Sequence, residues 1–254
     1  MSTDTKQTYQ NEEFDEWAGR SGLIAEEDFL VSNYLQSSKS TLEAGTAGGR
    51  ILHALKQRGF SDLSGYDFVP EFIEAARRRD VDHTIRFDVQ DARSLTYSSN
   101  SFDQILYLQQ ILSTLETAED RASAIREAAR ILKPGGVALV SFLCWEVRQA
   151  SPIFKLYISY LRVNRALRRS ASPVQAQPWL YVGKRVRIAG ALLDRRPYVY
   201  WSRVGEAFEQ LRSAGFQVEA MGTGLQIRAG QLVKSPQELS SQPLDGMLYF
   251  VCTK

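Results

Sequence analysis

Cysteine and histidine are scarce in this 254-residue chain, with two of each. Cys144 and Cys252 both lie in apolar, strand-like sequence, which argues against a disulfide framework and against a zinc site. His53 falls inside a helical stretch and His83 just before a strand, so both read as structural and a histidine general base is disfavoured. No apolar run approaches the roughly 20 residues needed to span a bilayer. The opening MSTDTKQTYQNEEFDEW is too polar and acidic for a signal peptide. Internal repeats and low-complexity tracts are lacking too. The expectation is a reduced, cytoplasmic protein without a metal.

What is present is ordinary in bulk and uneven in detail. The chain is 44% hydrophobic and 24% charged, as for a globular protein with a real core. Its length allows one large α/β domain or a domain plus a cap. The net charge of +2 conceals an asymmetry. Residues 144–203 carry twelve Lys or Arg and only two acids, Glu146 and Asp194, leaving 19 basic and 27 acidic residues elsewhere.

Strand and helix patterns alternate from about Ser40 to Leu143, as in a parallel sheet covered on both faces. STLEA reads as the first strand, followed by a helix over Gly49–Arg58 with Ile51, Leu52 and Leu55 on one face and Gly59 as its stop. DLSGYDF, HTIRFDV and FDQILYL read as the next strands, with a helix over PEFIEAARRR that has Pro70 in its first turn. TAEDRASAIREAARIL is a helix that Thr117 can cap through Asp120; KPGG should end it, before the strand GVALVSFL. After residue 200, WSRVGEAFEQLRSAGF restores an amphipathic helix, and QVEAM and GMLYFVC read as strands. The expected organisation is a helical lead-in at 1–39 and a ligand-binding α/β domain at 40–254, into which 146–200 is inserted as a substrate cap.

The stretch TLEAGTAGGRIL places an acid two residues before a cluster of glycines and small residues. A strand that ends in such a turn and opens a helix presents unpaired backbone N–H groups to a ligand. Taken alone, the turn reads equally well as small residues without a ligand. Asp67, ending the second strand, can accept two hydrogen bonds from a ribose diol at the carboxyl edge of the sheet. Asp91 and Ala92 follow the third strand, where a carboxylate can take an exocyclic adenine amine and a backbone N–H can donate to the ring; alone they also read as a surface turn.

In this order and spacing the chain resembles the class I S-adenosylmethionine-dependent methyltransferases. The matching pieces are LEAGTAGGR, GYDFVPEFIEAAR, VQDARSL, NSFDQILYL and REAARILKPGGVALVSF, together covering about residues 40–143. The resemblance implies a doubly wound, seven-stranded, mainly parallel sheet whose last strand is antiparallel, with S-adenosylmethionine as cofactor and S-adenosylhomocysteine as product. Carried over residue by residue, Glu43, Gly45, Thr46, Ala47 and Gly49 would surround the methionyl part. Asp67 would hold the ribose, Phe68 would pack near the adenine, Asp91 and Ala92 would read its edge, and Leu108 and Gln109 would sit beside the methyl donor. Ala47 departs from the pattern, standing where glycine is usual. Glu43 suits a cationic ligand end, whereas a pyrophosphate would gain nothing from it. The glycine spacing also departs from G-x-G-x-x-G and there is no Tyr-x-x-x-Lys pair, so a nicotinamide oxidoreductase is the poorer reading.

Missing motifs narrow the acceptor. The fourth strand ends in YLQQIL, without the Asn/Asp-Pro-Pro-aromatic motif of nucleic-acid amino methylation, and there is no Pro-Cys nucleophile. Methyl transfer from a sulfonium is an in-line displacement that positioning alone accelerates; Gln109, Gln110, Tyr198 and Tyr200 are candidates to orient the acceptor. Arg162, Arg165 and Arg169 recur at helical spacing and would suit an anionic acceptor under the cap, though a charge stripe is commonly a solvated face. The aromatics of IFKLYISYL and RRPYVYW suit an acceptor with an apolar body, or a transient membrane-surface contact. The expectation is O-methylation of a small molecule, anionic, saccharide or lipid-like. The alternatives are a nucleic-acid methyltransferase using the arginine-rich segment and a non-catalytic S-adenosylmethionine-binding regulator.

Overall fold

The computed structural model describes residues 3–11, 13–182 and 185–254; Lys184, one of the basic residues of the insertion, lies outside them. Three helices lead in: α1 (Thr3–Asn11), α2 (Phe14–Gly19) and α3 (Ala25–Tyr34). The alternating body follows as β1 (Thr41–Ala44), α4 (Arg50–Gln57), β2 (Leu63–Asp67), α5 (Pro70–Arg79), β3 (Ile85–Val89), β4 (Phe102–Tyr107), α6 (Ala118–Ile131) and β5 (Leu132–Cys144). The insertion contributes α7 (Trp145–Ala150), α8 (Pro152–Leu167), β6 (Ala176–Pro178), β7 (Tyr181–Val182), β8 (Arg185–Val186), α9 (Ile188–Leu192) and β9 (Tyr198–Ser202). The chain closes with α10 (Val204–Ser213), β10 (Gln217–Gly222), α11 (Gly224–Arg228), α12 (Pro236–Ser240) and β11 (Met247–Thr253).

The main sheet runs β3-β2-β1-β4-β5-β11-β10, parallel except for β11, which is antiparallel to both neighbours. Its order reverses between β1 and β4, and a crevice opens at the carboxyl ends of strands at such a switch point. Alternation along each strand divides the core into two layers. Leu42, Ala44, Ile105, Tyr107, Ala138 and Val140 pack against α6 and α10. Leu106, Leu108 and Leu139 face the opposite layer with Ile51, Leu52, Leu55, Leu30 and Ile73.

Local chemistry explains most boundaries. Thr117 Oγ accepts the Asp120 N–H at 2.9 Å and starts α6. Pro70 occupies the first turn of α5, where no intrahelical donor is lost. The Lys133–Gly136 stretch differs from expectation. Helix α6 ends at Ile131, and the chain enters the sheet at once, pairing Leu132 with Phe102 across a register irregularity. A helix stop and a strand start are thus the same residues.

The insertion is partly sheet. The C-terminal end of β5 runs past the end of β4, and its exposed edge there is taken by β9, with Leu143 opposite Trp201 and Cys144 opposite Ser202. Strand β9 then pairs with β6. This flap carries Pro178, Trp179, Val199 and Trp201 to the carboxyl edge of the sheet, beside the switch point.

Candidate functional site

The turn after β1 adopts left-handed backbone at three places: Gly45 (φ 60°), Ala47 (φ 45°) and Gly49 (φ 77°). A methyl group on Gly45 would overlap Ile111 Cδ1, and one on Gly49 would crowd His53 Nε2 and Phe87 Cζ at 3.1 Å. Ala47 is the one residue of the three with a side chain, and holding it there costs about 1–2 kcal/mol. The turn is tied to the next strand by Thr46 N–H donating to the Tyr66 carbonyl at 3.0 Å.

Beneath the turn lies a buried charged network. The Thr46 hydroxyl donates to Glu43 Oε2 at 2.7 Å. Next to Glu43, Arg50 from α4 makes a two-pronged pair with Glu27 from α3, at 2.6 and 2.7 Å, and Gln109 Nε2 donates to the same Glu27 carboxylate. Burial pushes the Glu43 carboxyl up to about 8, against the Thr46 hydroxyl and the Arg50 charge, which pull it down. Once Glu43 is ionised, two carboxylates flank one guanidinium, an arrangement that favours a cationic group at this spot. Glu27 was not legible as a site residue. Its sequence signal is that of a helix-start acid accepting the Ile24 N–H, at 3.0 Å.

Asp67 is likewise buried at the end of β2. Its carboxylate accepts the N–H of Ala47 and of Val69, both at 3.0 Å. It therefore joins the glycine turn to the start of α5, and burial raises it to about 6 despite these donors. Further along the edge, Phe68, Asp91 and Ala92 come together with Tyr66, Ile111 and Thr114 around a cavity of about 50 Å³. The Asp91 carboxylate is gripped by Arg93, whose guanidinium approaches to 2.6 Å and reaches Asp120 at 3.0 Å. The Arg93 guanidinium helps hold the Asp91 carboxyl below its usual range, against the effect of burial. A second cavity of about 40 Å³ lies over Gly45, Ala47 and Asp67, closed by Tyr9, Trp17, Phe72 and Gln110. Ile111 separates the two.

Helices α1 and α2 roof this crevice. Tyr9 meets Phe72 and Trp179 edge-on at 6.2 and 5.1 Å, and Phe14 stacks on Phe72 at 5.2 Å. Arg79 clamps the end of α2 to the glycine turn, donating to the carbonyls of Ala18, Arg20 and Gly48 at 2.9–3.0 Å. Beyond Trp17 and Gln110 lies a larger pocket of about 280 Å³, lined among others by Glu13, Arg148, Trp179 and Trp201. Glu13 is buried and accepts Trp17 Nε1–H at 2.7 Å. The Arg148 guanidinium lies over Phe154 at 3.3 Å and Trp201 at 4.5 Å and donates to Gln177 at 2.8 Å.

Other expected residues fall outside these cavities. Leu108 packs in the core. Gln109 takes a left-handed backbone (φ 59°), and its carbonyl accepts the Ser141 hydroxyl at 2.6 Å, so Gln110 rather than Gln109 faces the crevice. The Tyr198 hydroxyl donates to the Asp194 carbonyl and the Tyr200 hydroxyl to Glu206, at 2.8 and 2.7 Å. Both hydroxyls are thus engaged within the protein, that of Tyr200 tying β9 to α10. Arg165 turns inward to a buried pair with Asp194 at 2.6 Å, while Arg162 and Arg169 are exposed. None of the three is among the residues that line the cavities described above. The helical spacing was real, but it could not tell which side of α8 meets the body.

Residues 42–140 match the family model described as "Methyltransferase domain". Over those residues the chain carries a methyltransferase domain. A solved structure of an S-adenosylmethionine-dependent methyltransferase from Methanosarcina mazei shares its fold, with a TM-score of 0.65 at 19% identity, covering 89% of this chain and 96% of that one. Norajmaline N-methyltransferase of Rauvolfia serpentina is 31% identical over 119 residues, 45% of this chain and 38% of that relative. Ubiquinone biosynthesis O-methyltransferase of Xanthomonas campestris pv. campestris is 27% identical over 119 residues, 46% and 48% of the two chains. The chain thus spans less than half the length of these curated relatives.

The Methanosarcina mazei structure is of an S-adenosylmethionine-dependent enzyme, and the donor set here fits that cofactor in kind: acidic side chains for a cationic end, a carboxylate for a diol and an apolar slot for a flat ring. The space is divided by Ile111, and each half is far below the roughly 300–1,000 Å³ of ligand sites. Admission of the cofactor therefore requires Ile111 and the α1–α2 roof to shift. Among the described residues no group of three His, Cys, Asp or Glu is placed to hold a metal ion.

Proposed function

We propose that this protein methylates a small, ring-bearing acceptor at oxygen, using S-adenosylmethionine held at the glycine turn. One observation carries the reading. Trp17 and Gln110 line both the cavity over Gly45 and Asp67 and the 280 Å³ pocket beside it, so an acceptor in the larger pocket lies next to the cofactor turn. Bound there, the cofactor supplies an electrophilic methyl group. Glu43 and Glu27 favour its positive charge, Asp67 takes the ribose hydroxyls, and Phe68, Asp91 and Ala92 receive the adenine. Trp17, Trp179 and Trp201 offer ring faces to the acceptor, and Gln110 orients it. Glu13 is the buried carboxylate at this pocket and takes the proton that an O–H acceptor must lose. The roof excludes water, which would otherwise compete for the methyl group.

The pocket's size favours a small acceptor over a polynucleotide, and the exposed arginine row, the feature that suggested nucleic acid, stands away from it. The test is incubation of the protein with labelled S-adenosylmethionine and a metabolite extract, followed by mass spectrometry of whatever gains the label. The expected product is a small methyl ether. Glu13→Gln should lower kcat while leaving S-adenosylhomocysteine affinity unchanged. Absence of any heat with S-adenosylhomocysteine in calorimetry would sink the reading. Label appearing only in RNA or DNA would replace it with the nucleic-acid alternative.

A further inference from the structure

The pocket of about 280 Å³ beside the glycine turn has two chemically unlike ends. Trp17 and Gln110, shared with the cavity over Gly45 and Asp67, mark the end next to the turn. Glu13 belongs to that end, because its carboxylate accepts the Trp17 Nε1–H at 2.7 Å. Arg148 and Trp201 line the pocket but not the cavity over the turn, and so mark the end under the flap. Leu143, Trp179 and Val199 pack together as a small apolar cluster and supply the remaining wall.

The cation under the flap is held in one orientation. Arg148 lies on α7, directly after β5, and is only 8% exposed. Its guanidinium sits over the rings of Phe154 and Trp201, and its Nε donates to Gln177 Oε1 at 2.8 Å. Gln177 is fully buried in β6, opposite Val199 of β9, and its Nε2 donates to the Val174 carbonyl at 3.3 Å. Two ring contacts and one hydrogen bond fix the plane of the fork, and the strand pairing fixes its partner in turn. A guanidinium kept from water and held in one plane is matched to a planar, two-oxygen anion. The other cation of the pocket, Arg20, is partly exposed and paired with Glu16, over the Trp17 ring. The buried charges are therefore segregated, Glu13 beside the turn and Arg148 under the flap. A ligand carboxylate is repelled by the first and attracted by the second, which decides which way round an acceptor lies.

We propose that the acceptor is a hydroxy-substituted aromatic carboxylate, gripped at its carboxylate by Arg148, with its hydroxyl turned toward Glu13 and Gln110. Arg148 is then the specificity-determining residue, and the acceptor's ring rests against Trp179 and Trp201. The size agrees: about 280 Å³ falls just below the roughly 300–1,000 Å³ of sites for drug-sized ligands, which suits a single substituted ring. The assignment rests on this pocket being the acceptor site, as in the proposed function.

The test is calorimetric titration of the full chain, saturated with S-adenosylhomocysteine, with 3- and 4-hydroxybenzoate and with the matching hydroxybenzamides, at neutral pH. Each acid and its amide have the same shape and differ in charge. At least one hydroxybenzoate should bind about tenfold or more tighter than its amide, the scale of hydrogen bonds to a charged group. Arg148→Gln should bring that ratio close to one while leaving S-adenosylhomocysteine affinity unchanged. Arg148→Lys keeps the charge but loses the fork, so its ratio should fall between the two. Because Arg148 is buried, circular dichroism checks the fold of both variants; if neither folds, the wild-type ratio decides alone. Equal binding of acids and amides by the wild type, no binding of either at millimolar concentration, or a preference that survives Arg148→Gln would each overturn the proposal. With S-adenosylhomocysteine heat present, those outcomes sink the carboxylate assignment and leave the proposed function standing. Absence of that heat sinks both.

Discussion

Glu43 makes cofactor binding a proton-linked event. With its carboxyl raised to about 8 by burial, only roughly a tenth of it is ionised at pH 7. A cationic ligand end at the turn selects the ionised form, so binding at pH 7 first has to remove a proton, at about 1.4 kcal/mol. Apparent affinity for S-adenosylhomocysteine should rise roughly eightfold between pH 7 and pH 8.5 and then level off. Calorimetry at pH 7 in two buffers of different ionisation enthalpy should show close to one proton released per ligand bound. Glu43→Gln should bind more weakly at pH 8.5 and lose the pH dependence. Stability has the opposite trend. A carboxyl raised in the folded state is harder to ionise there than in the unfolded chain, so stability falls as pH rises from about 4.5 toward 8. The ligand should offset that fall. Affinity that is flat from pH 6.5 to 8.5, with buffer-independent heats, would refute the role given to Glu43.

Asp67→Asn should weaken S-adenosylhomocysteine binding by about 1.5–3 kcal/mol, the scale of a hydrogen bond to a charged group, as read by thermal shift and titration in a protein that remains folded. Gly48→Ala should displace α2, because the new methyl group would overlap the Ala18 carbonyl. Protease cleavage within residues 3–19 should accelerate while the melting of the main sheet changes little. Arg165→Ala should destabilise the fold by about 3–5 kcal/mol by leaving Asp194 buried without its cation. Arg162→Gln should change stability by less than about 0.5 kcal/mol; equal losses in the two variants would contradict the inward placement of Arg165.

The methyltransferase domain shows where reading a sequence succeeds and where it stops. The strands from Thr41 to Cys144, the helices between them and the capped start of α6 follow from local causes: period-two and period-3.6 hydrophobicity, proline at a helix start, a threonine that accepts from Asp120. The grouping of Gly45, Asp67 and Asp91 at one sheet edge was equally legible, because a parallel sheet brings the carboxyl ends of its strands to the same side. Glu27, Tyr9, Trp17 and Arg148 were not. They reach the crevice from the lead-in and the insertion, by packing between segments far apart in the chain, and no periodicity records such contacts. The arginine row shows the same limit from the other side. Spacing placed Arg162, Arg165 and Arg169 along one side of a helix, but only the docking of α8 on the body decided that Arg165 would pair inside with Asp194 and that Arg162 and Arg169 would face water. A helix with apolar residues on two arcs has two candidate inner faces, and its sequence alone cannot choose between them. The packing of Ile158 and Leu161 against the rest of the fold makes that choice.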